Sequence, residues 1–316
     1  MKEQFRNPIT ESGPDPFVVL FEEKYYYVYS AEGGLYVSCA ENIHKLKRDG
    51  RNVFTPPEGT MYSKEYWAPE IHLIDGKWYL YVAADDGQNA NHRMYVLESE
   101  NGRPDGSYKM LGKISDPSDC WAIDGTVMHY GGRLYFVWSG WEHAGDAMQN
   151  LYIAPMSSPT EISGMRVRIS TPEYDWECRG AGPTGTGKEL PKVNEGPQIL
   201  YKGDTVHIIY SASGSWCRHY CLGRLTFRGG DPLDPKCWKK YEDAVFSENE
   251  GAYGPGHCSF TKSVDGSEDF IVYHARPDAS GGWRGRGMRA QPFTWDGDVP
   301  VFGRPATPDE WVQIPV

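Results

Sequence analysis

The chain of 316 residues holds 36 glycines, 23 prolines, 14% aromatic residues and a formal net charge of −11. That charge disfavours nucleic acid and anionic membranes, which need local positive potential, and suits a neutral partner. No apolar run approaches the ~20 residues of a membrane-spanning helix, and the opening MKEQFRNPIT lacks the apolar core of a signal peptide.

No long apolar stripe of helical period occurs, so the composition predicts an all-β chain of short strands and tight turns. A hairpin pattern recurs: an apolar run, a turn with charged or glycine residues, then a run of β-branched and aromatic residues. It appears as DPFVVLFEEKYYYVYSA from Asp15, APEIHLIDGKWYLYVAA from Ala68 and DGTVMHYGGRLYFVWSG from Asp124. It returns as EGPQILYKGDTVHIIYS from Glu195 and, with a longer turn, as HCSFTKSVDGSEDFIVYHA from His257. Each is followed by two further strand-like runs, such as HRMYVLES and YKMLGKI after the second hairpin. A repeat of roughly 50 to 70 residues, four strands per unit, predicts a five-bladed β-propeller with four-stranded blades, one domain spanning 1–316. The second strands are continuously apolar, as sheets packed on both faces require.

In a propeller the starts of the innermost strands converge on the axis. Without gaps, the leading residues of the five hairpins are Asp15, Ala68, Asp124, Glu195 and His257. Each acid alone reads as a turn residue beside Gly or Pro. Three carboxylates in one register read instead as general acid–base machinery for glycoside hydrolysis, where one group protonates the leaving oxygen and another activates water. Burial and like charge should raise the pKa of Glu195 beside an ionised Asp124, while a more solvated Asp15 stays ionised. Insertions at 85–91, 141–148, 174–191 and 277–286 are placed to rim one mouth of the channel.

The motifs GPDPFVV around Asp15, YWAPEI at 66–71, AIDGTV around Asp124 and NEGPQIL around Glu195 together resemble glycoside hydrolase family 43. The resemblance runs from Asn7 to the C-terminus. It implies a five-bladed propeller that hydrolyses glycosides with inversion, with Asp15 as general base, Asp124 as pKa modulator and Glu195 as general acid. It further implies an α-L-arabinofuranosidase releasing terminal, 1,5-linked arabinofuranose from arabinan or its oligosaccharides, with no required cofactor. β-Xylosidase, endo-arabinanase and a non-catalytic carbohydrate-binding propeller are the alternatives. His257 reads either as a hydrogen-bonded core residue or as the neighbour of an axial ion such as calcium, held through water. Trp67 reads as a sugar platform or an interblade core residue. Of Arg286 and Arg289, similar to a family position near the acids or substrate, Arg289 is preferred.

Two other stretches read as structural. GAGPTGTGK (180–188) lacks the spacing of a phosphate loop and reads as a flexible loop. Cys217, His219 and Cys221 fall on one face if their segment is an extended strand, and read as packing in place of a zinc site. Seven cysteines without framework spacing fit reduced thiols and an intracellular chain, with secretion the alternative if a signal peptide has been removed. The oligomeric state is not readable.

Overall fold

A computed structural model describes residues 4–314, which form a five-bladed β-propeller. Blade I comprises Phe17–Phe21, Lys24–Ala31, Gly34–Ala40 and Arg51–Phe54. Blade II comprises Lys64–Ile74, Lys77–Asp85, Arg93–Ser99 and Tyr108–Ile114. Blade III comprises Ala122–Tyr130, Arg133–Gly140, Asn150–Ser158 and Val167–Ser170, with Glu161–Ile162 as an extra short strand. Blade IV comprises Asn194–Lys202, Thr205–Ala212, Cys221–Phe227 and Trp238–Lys240. Blade V comprises Tyr253–Lys262, Asp269–Arg276, Gly287–Asp296 and Val299–Val301. All neighbouring strands within a blade run antiparallel.

The apolar second strands are explained by where alternate residues go. Tyr26 and Val28 pack towards blade II, whereas Tyr25, Tyr27 and Tyr29 pack towards blade V. Trp78, Leu80 and Val82 likewise face blade I, and Tyr79, Tyr81 and Ala83 face blade III. A strand buried on both faces has no polar side to alternate with. The apolar clusters occupy the gaps between neighbouring blades, which leaves the axis free for polar groups. The ring closes through the N-terminal segment: Gln4–Phe5 pairs with Val312–Gln313, Thr10 bridges to Met288, and the Asn7 side chain bonds the backbone of Ala290.

The innermost strands share a bulge at the channel mouth. Pairing runs from Trp67–Ala83 to Glu70–Tyr81, from Ile123–Ser139 to Thr126–Val137, from Glu195–Ser211 to Gln198–Ile209, and from Gly256–His274 to Ser259–Val272. The residue after the first pair is left-handed each time: Ala68 (φ 43°), Asp124 (φ 55°), Gly196 (φ 54°) and His257 (φ 44°). Asp15 (φ 52°) occupies the same place ahead of Phe17–Phe21. This corrects the gapless register, because the leading residue of blade IV is Gly196. Glu195 stands one position earlier, equivalent to Trp67 and Ile123.

Gly125, directly after Asp124, shows how tightly the wall behind this bulge is packed. A Cβ there would lie 2.2 Å from Phe136 Cζ and 2.9 Å from Met94 Cε, inside the cluster between blades II and III. Gly125→Ala should therefore cost about 1–3 kcal/mol of stability through overpacking. A urea-midpoint measurement checks this against Gly185→Ala, whose Cβ would meet nothing within 4 Å and should leave the midpoint in place.

Candidate active site

A cavity of about 720 Å³ opens at the bulged end of the channel, with Asp15, Asp124, Glu195 and His257 in its floor. The insertions form its wall, through Asn89, Trp141, Gly145 to Ala147, Lys188 to Pro191, Trp283 and Arg286. The 180–188 stretch is a loop bounded by the two-residue pair Gly182–Pro183 and Glu189–Leu190, so it contributes to the rim and has no helix to make a phosphate site. Five indoles line the cavity: Trp67, Trp121, Trp141, Trp216 and Trp283. Trp121 and Trp141 stack with centroids 4.7 Å apart, and Trp216 meets Trp283 edge-on at 6.0 Å. Trp67 lies in the wall and also stacks on buried His92 at 3.9 Å.

The carboxylates are not equivalent. Burial alone would raise the pKa of Asp15, but the Arg286 guanidinium, His257 and His274 outweigh it and hold this carboxyl well below the usual range. Arg286 Nη1 lies 3.1 Å from Asp15 Oδ1, and His257 Nδ1 lies 3.3 Å from the same oxygen. The Asp15 N–H donates to His274 Nδ1 at 3.1 Å. With its side chain only 21% exposed, Asp15 is kept ionised by cationic and donor neighbours, not by the solvation expected from sequence.

Glu195 and Asp124 are pushed the other way. Burial lifts Glu195 to about 7, helped by the negative charge of Asp15 and opposed by a hydrogen bond from Tyr220. Burial, then the charges of Glu195 and Asp15, drive Asp124 well above the usual carboxylate range. With its carboxyl driven upward by burial and by Glu195, Asp124 is not a simple ionised neighbour. Asp124 Oδ2 also accepts the Gly196 N–H at 2.9 Å, which anchors the backbone directly after Glu195. His257, whose backbone N–H donates to Ser211 Oγ at 2.8 Å, is held neutral by burial despite Asp15, and its Nδ1 stands 4.0 Å from Asp124 Oδ2.

Arg289 is elsewhere. It is 1% exposed, within the third strand of blade V, and donates to the backbone carbonyls of Ala306 and Gly251. Arg286, just ahead of that strand at the channel mouth, is the arginine that reaches the site. Residues 217–220 form a turn, not an extended strand; Cys217 and Cys221 are unpaired, and His219 Nδ1 lies 3.5 Å from Glu248. Among the described residues, no three His, Cys, Asp or Glu side chains are arranged to hold a metal ion. The ion considered for His257 would find an imidazole already directed at Asp15 Oδ1.

Two site residues had no signal in the sequence. Tyr220, in that turn, donates its phenol to Glu195 Oε1 at 2.8 Å, and His274, in the second strand of blade V, carries the backbone of Asp15.

Known proteins share this architecture. The family model described as glycosyl hydrolases family 43 matches residues 5–300. An extracellular exo-α-(1→5)-L-arabinofuranosidase of Streptomyces avermitilis is 37% identical over 95% of this chain, which spans 63% of that relative's length. A protein of the same name from Streptomyces chartreusis is 34% identical, over 86% of this chain and 82% of its own. The crystal structure of an α-L-arabinofuranosidase from Lactobacillus brevis superposes with a TM-score of 0.88 at 33% identity, covering 97% of this chain and 98% of that one. With five antiparallel blades of at least four strands each, acids at the bulged mouth and a family match over nearly its whole length, the chain belongs to glycosyl hydrolases family 43.

Proposed function

We propose that the chain is an inverting, exo-acting α-L-arabinofuranosidase that releases terminal 1,5-linked arabinofuranosyl residues from arabinan or arabino-oligosaccharides. The observation that carries the reaction type is the opposite electrostatic bias of carboxyls in one cavity floor: Asp15 held ionised, Glu195 and Asp124 holding a proton. The substrate is read from the names of the Streptomyces and Lactobacillus relatives. A wall of five indoles suits a neutral sugar, whose C–H faces pack on aromatic rings. The names of the two Streptomyces relatives favour an extracellular site of action over the reducing compartment read from the cysteines.

In this reading the ionised Asp15 takes a proton from water as that water attacks the anomeric carbon. Glu195 gives its proton to the departing glycosidic oxygen while the water attacks from the opposite face, so the configuration inverts. Asp124 keeps a proton on the acid pair and fixes the Gly196 N–H, while Arg286 secures the charge of Asp15. The Trp67 wall holds the sugar above them.

Asp15→Asn and Glu195→Gln should each lower kcat at least ~10²-fold on an arabino-oligosaccharide, the usual scale for general acid–base groups. On a dinitrophenyl arabinofuranoside, whose leaving group scarcely needs protonation, Glu195→Gln should lose far less than Asp15→Asn. Near wild-type turnover in either variant with melting unchanged would remove that residue from the mechanism. Nitrophenyl arabinofuranoside should be cleaved in strong preference to nitrophenyl xyloside, and the reverse preference would move the assignment to β-xylosidase.

The charge of Arg286 sets both limbs of the pH profile. The wild-type acid limb should lie below the ordinary carboxylate range, about pH 4, because Asp15 must be ionised. The alkaline limb should fall near 7, because activity is lost as Glu195 gives up its proton. Arg286 lowers the pKa of both groups, so Arg286→Gln should move both limbs to higher pH. A kcat/KM profile with both limbs unmoved would show that Arg286 grips substrate instead.

A further inference from the structure

Tyr220 is wholly buried and lies behind the cavity wall, not among the residues that line it. It ends the turn that precedes the third strand of blade IV, with its N–H donated to Cys217 O at 3.4 Å. Its ring stacks on the imidazole of His274, centroids 5.6 Å apart and planes within 4°. It also lies against Gly256, where a Cβ would sit 2.4 Å from a ring carbon, so only glycine leaves room for it. From this fixed seat the phenol donates to Glu195 Oε1 at 2.8 Å, while the stacked His274 accepts the Asp15 N–H. One rigid aromatic pair therefore touches the side chain of the acid at one end and the backbone of the base at the other.

We propose that Tyr220 is a positioning residue for the acid: its phenol fixes the rotation of the Glu195 carboxyl group and leaves Oε2 to carry the transferable proton. This rests on Glu195 being the general acid. Burial and the charges of Glu195 and Asp15 keep the phenol protonated, so it remains a donor throughout the working range. A hydrogen bond given to a carboxylate favours its ionised form, so Tyr220 restrains the rise that burial imposes on Glu195. Besides Tyr220, Asp15 and Arg286 act on Glu195 directly, Glu195 and Glu70 act on Asp124, and His257 and His274 act on Asp15; a Tyr220→Phe variant retains all of these groups.

The test uses pH profiles of kcat/KM for the intact chain, as wild type, as Tyr220→Phe, and with 3-fluorotyrosine in place of Tyr220. Tyr220→Phe keeps the ring on His274 and should move the alkaline limb up by about one pH unit, the effect of losing a charge-assisted hydrogen bond. The acid limb should stay in place. Plateau activity on an arabino-oligosaccharide should fall about tenfold, a fraction of the full acid contribution, and much less on the dinitrophenyl substrate. Fluorotyrosine, a stronger donor, should move the alkaline limb down, and it decides the sign alone if the phenylalanine variant fails to fold. An unmoved limb in the folded variants would overturn the proposal, because a purely structural tyrosine changes amounts of active protein and not its titration. Equal loss on both substrates in Glu195→Gln would instead remove Glu195 as acid, and with it the reading on which Tyr220 depends.

Discussion

The site depends on one backbone constraint, the left-handed residue near the mouth end of the inner strand of every blade. Four of these five residues carry a Cβ, and an L-residue pays roughly 1–2 kcal/mol to sit there. The twist has a structural return. It inserts a bulge at the mouth, and with it successive residues such as Ile123 and Asp124 both reach the cavity where a regular strand would show only one. Glu195 and Asp124 consequently come from different steps of the bulge in adjacent blades and still line one cavity. Gly196 lies against His257, which a Cβ would approach to 3.2 Å, so the fourth blade fills this position without a side chain and presents its acid one residue earlier.

On that frame, charge does the selecting. The three carboxyls are separated in charge by their company: a guanidinium and two imidazoles hold Asp15 down, while burial outweighs a phenol and the same guanidinium at Glu195. Burial is common to all of them and would raise every pKa alike. Arg286 at the mouth of blade V, with His257 and His274, reverses the outcome for Asp15, so one apolar-walled cavity holds carboxyls of opposite bias.

The fold was legible in the sequence because hairpin periodicity and two-faced apolar strands are local signals. The three acids were legible because their motifs repeat in nearly the same register. The single-residue offset of Glu195 was not, since a gapless alignment cannot see whether a left-handed residue falls on the acid or on the glycine after it. Arg286 and Arg289 are indistinguishable in sequence for a related reason: both belong to one strand or its start, and only the folded end of that strand tells which guanidinium meets the axis and which bonds the carbonyls of Gly251 and Ala306. Tyr220 was hidden in CRHYC, which reads as a strand when it is a turn. Its partner Glu195 is 25 residues away, and nothing in either stretch marks the contact.

The central claim is that Asp15 activates water opposite the bond protonated by Glu195, and the stereochemistry of the first product tests it most directly. Hydrolysis of an α-L-arabinofuranoside followed by proton NMR, faster than mutarotation, should show the β-anomer of arabinose appearing first. Initial release of the α-anomer would mean a covalent intermediate on Asp15, and would contradict the division of labour between the two carboxyls derived above.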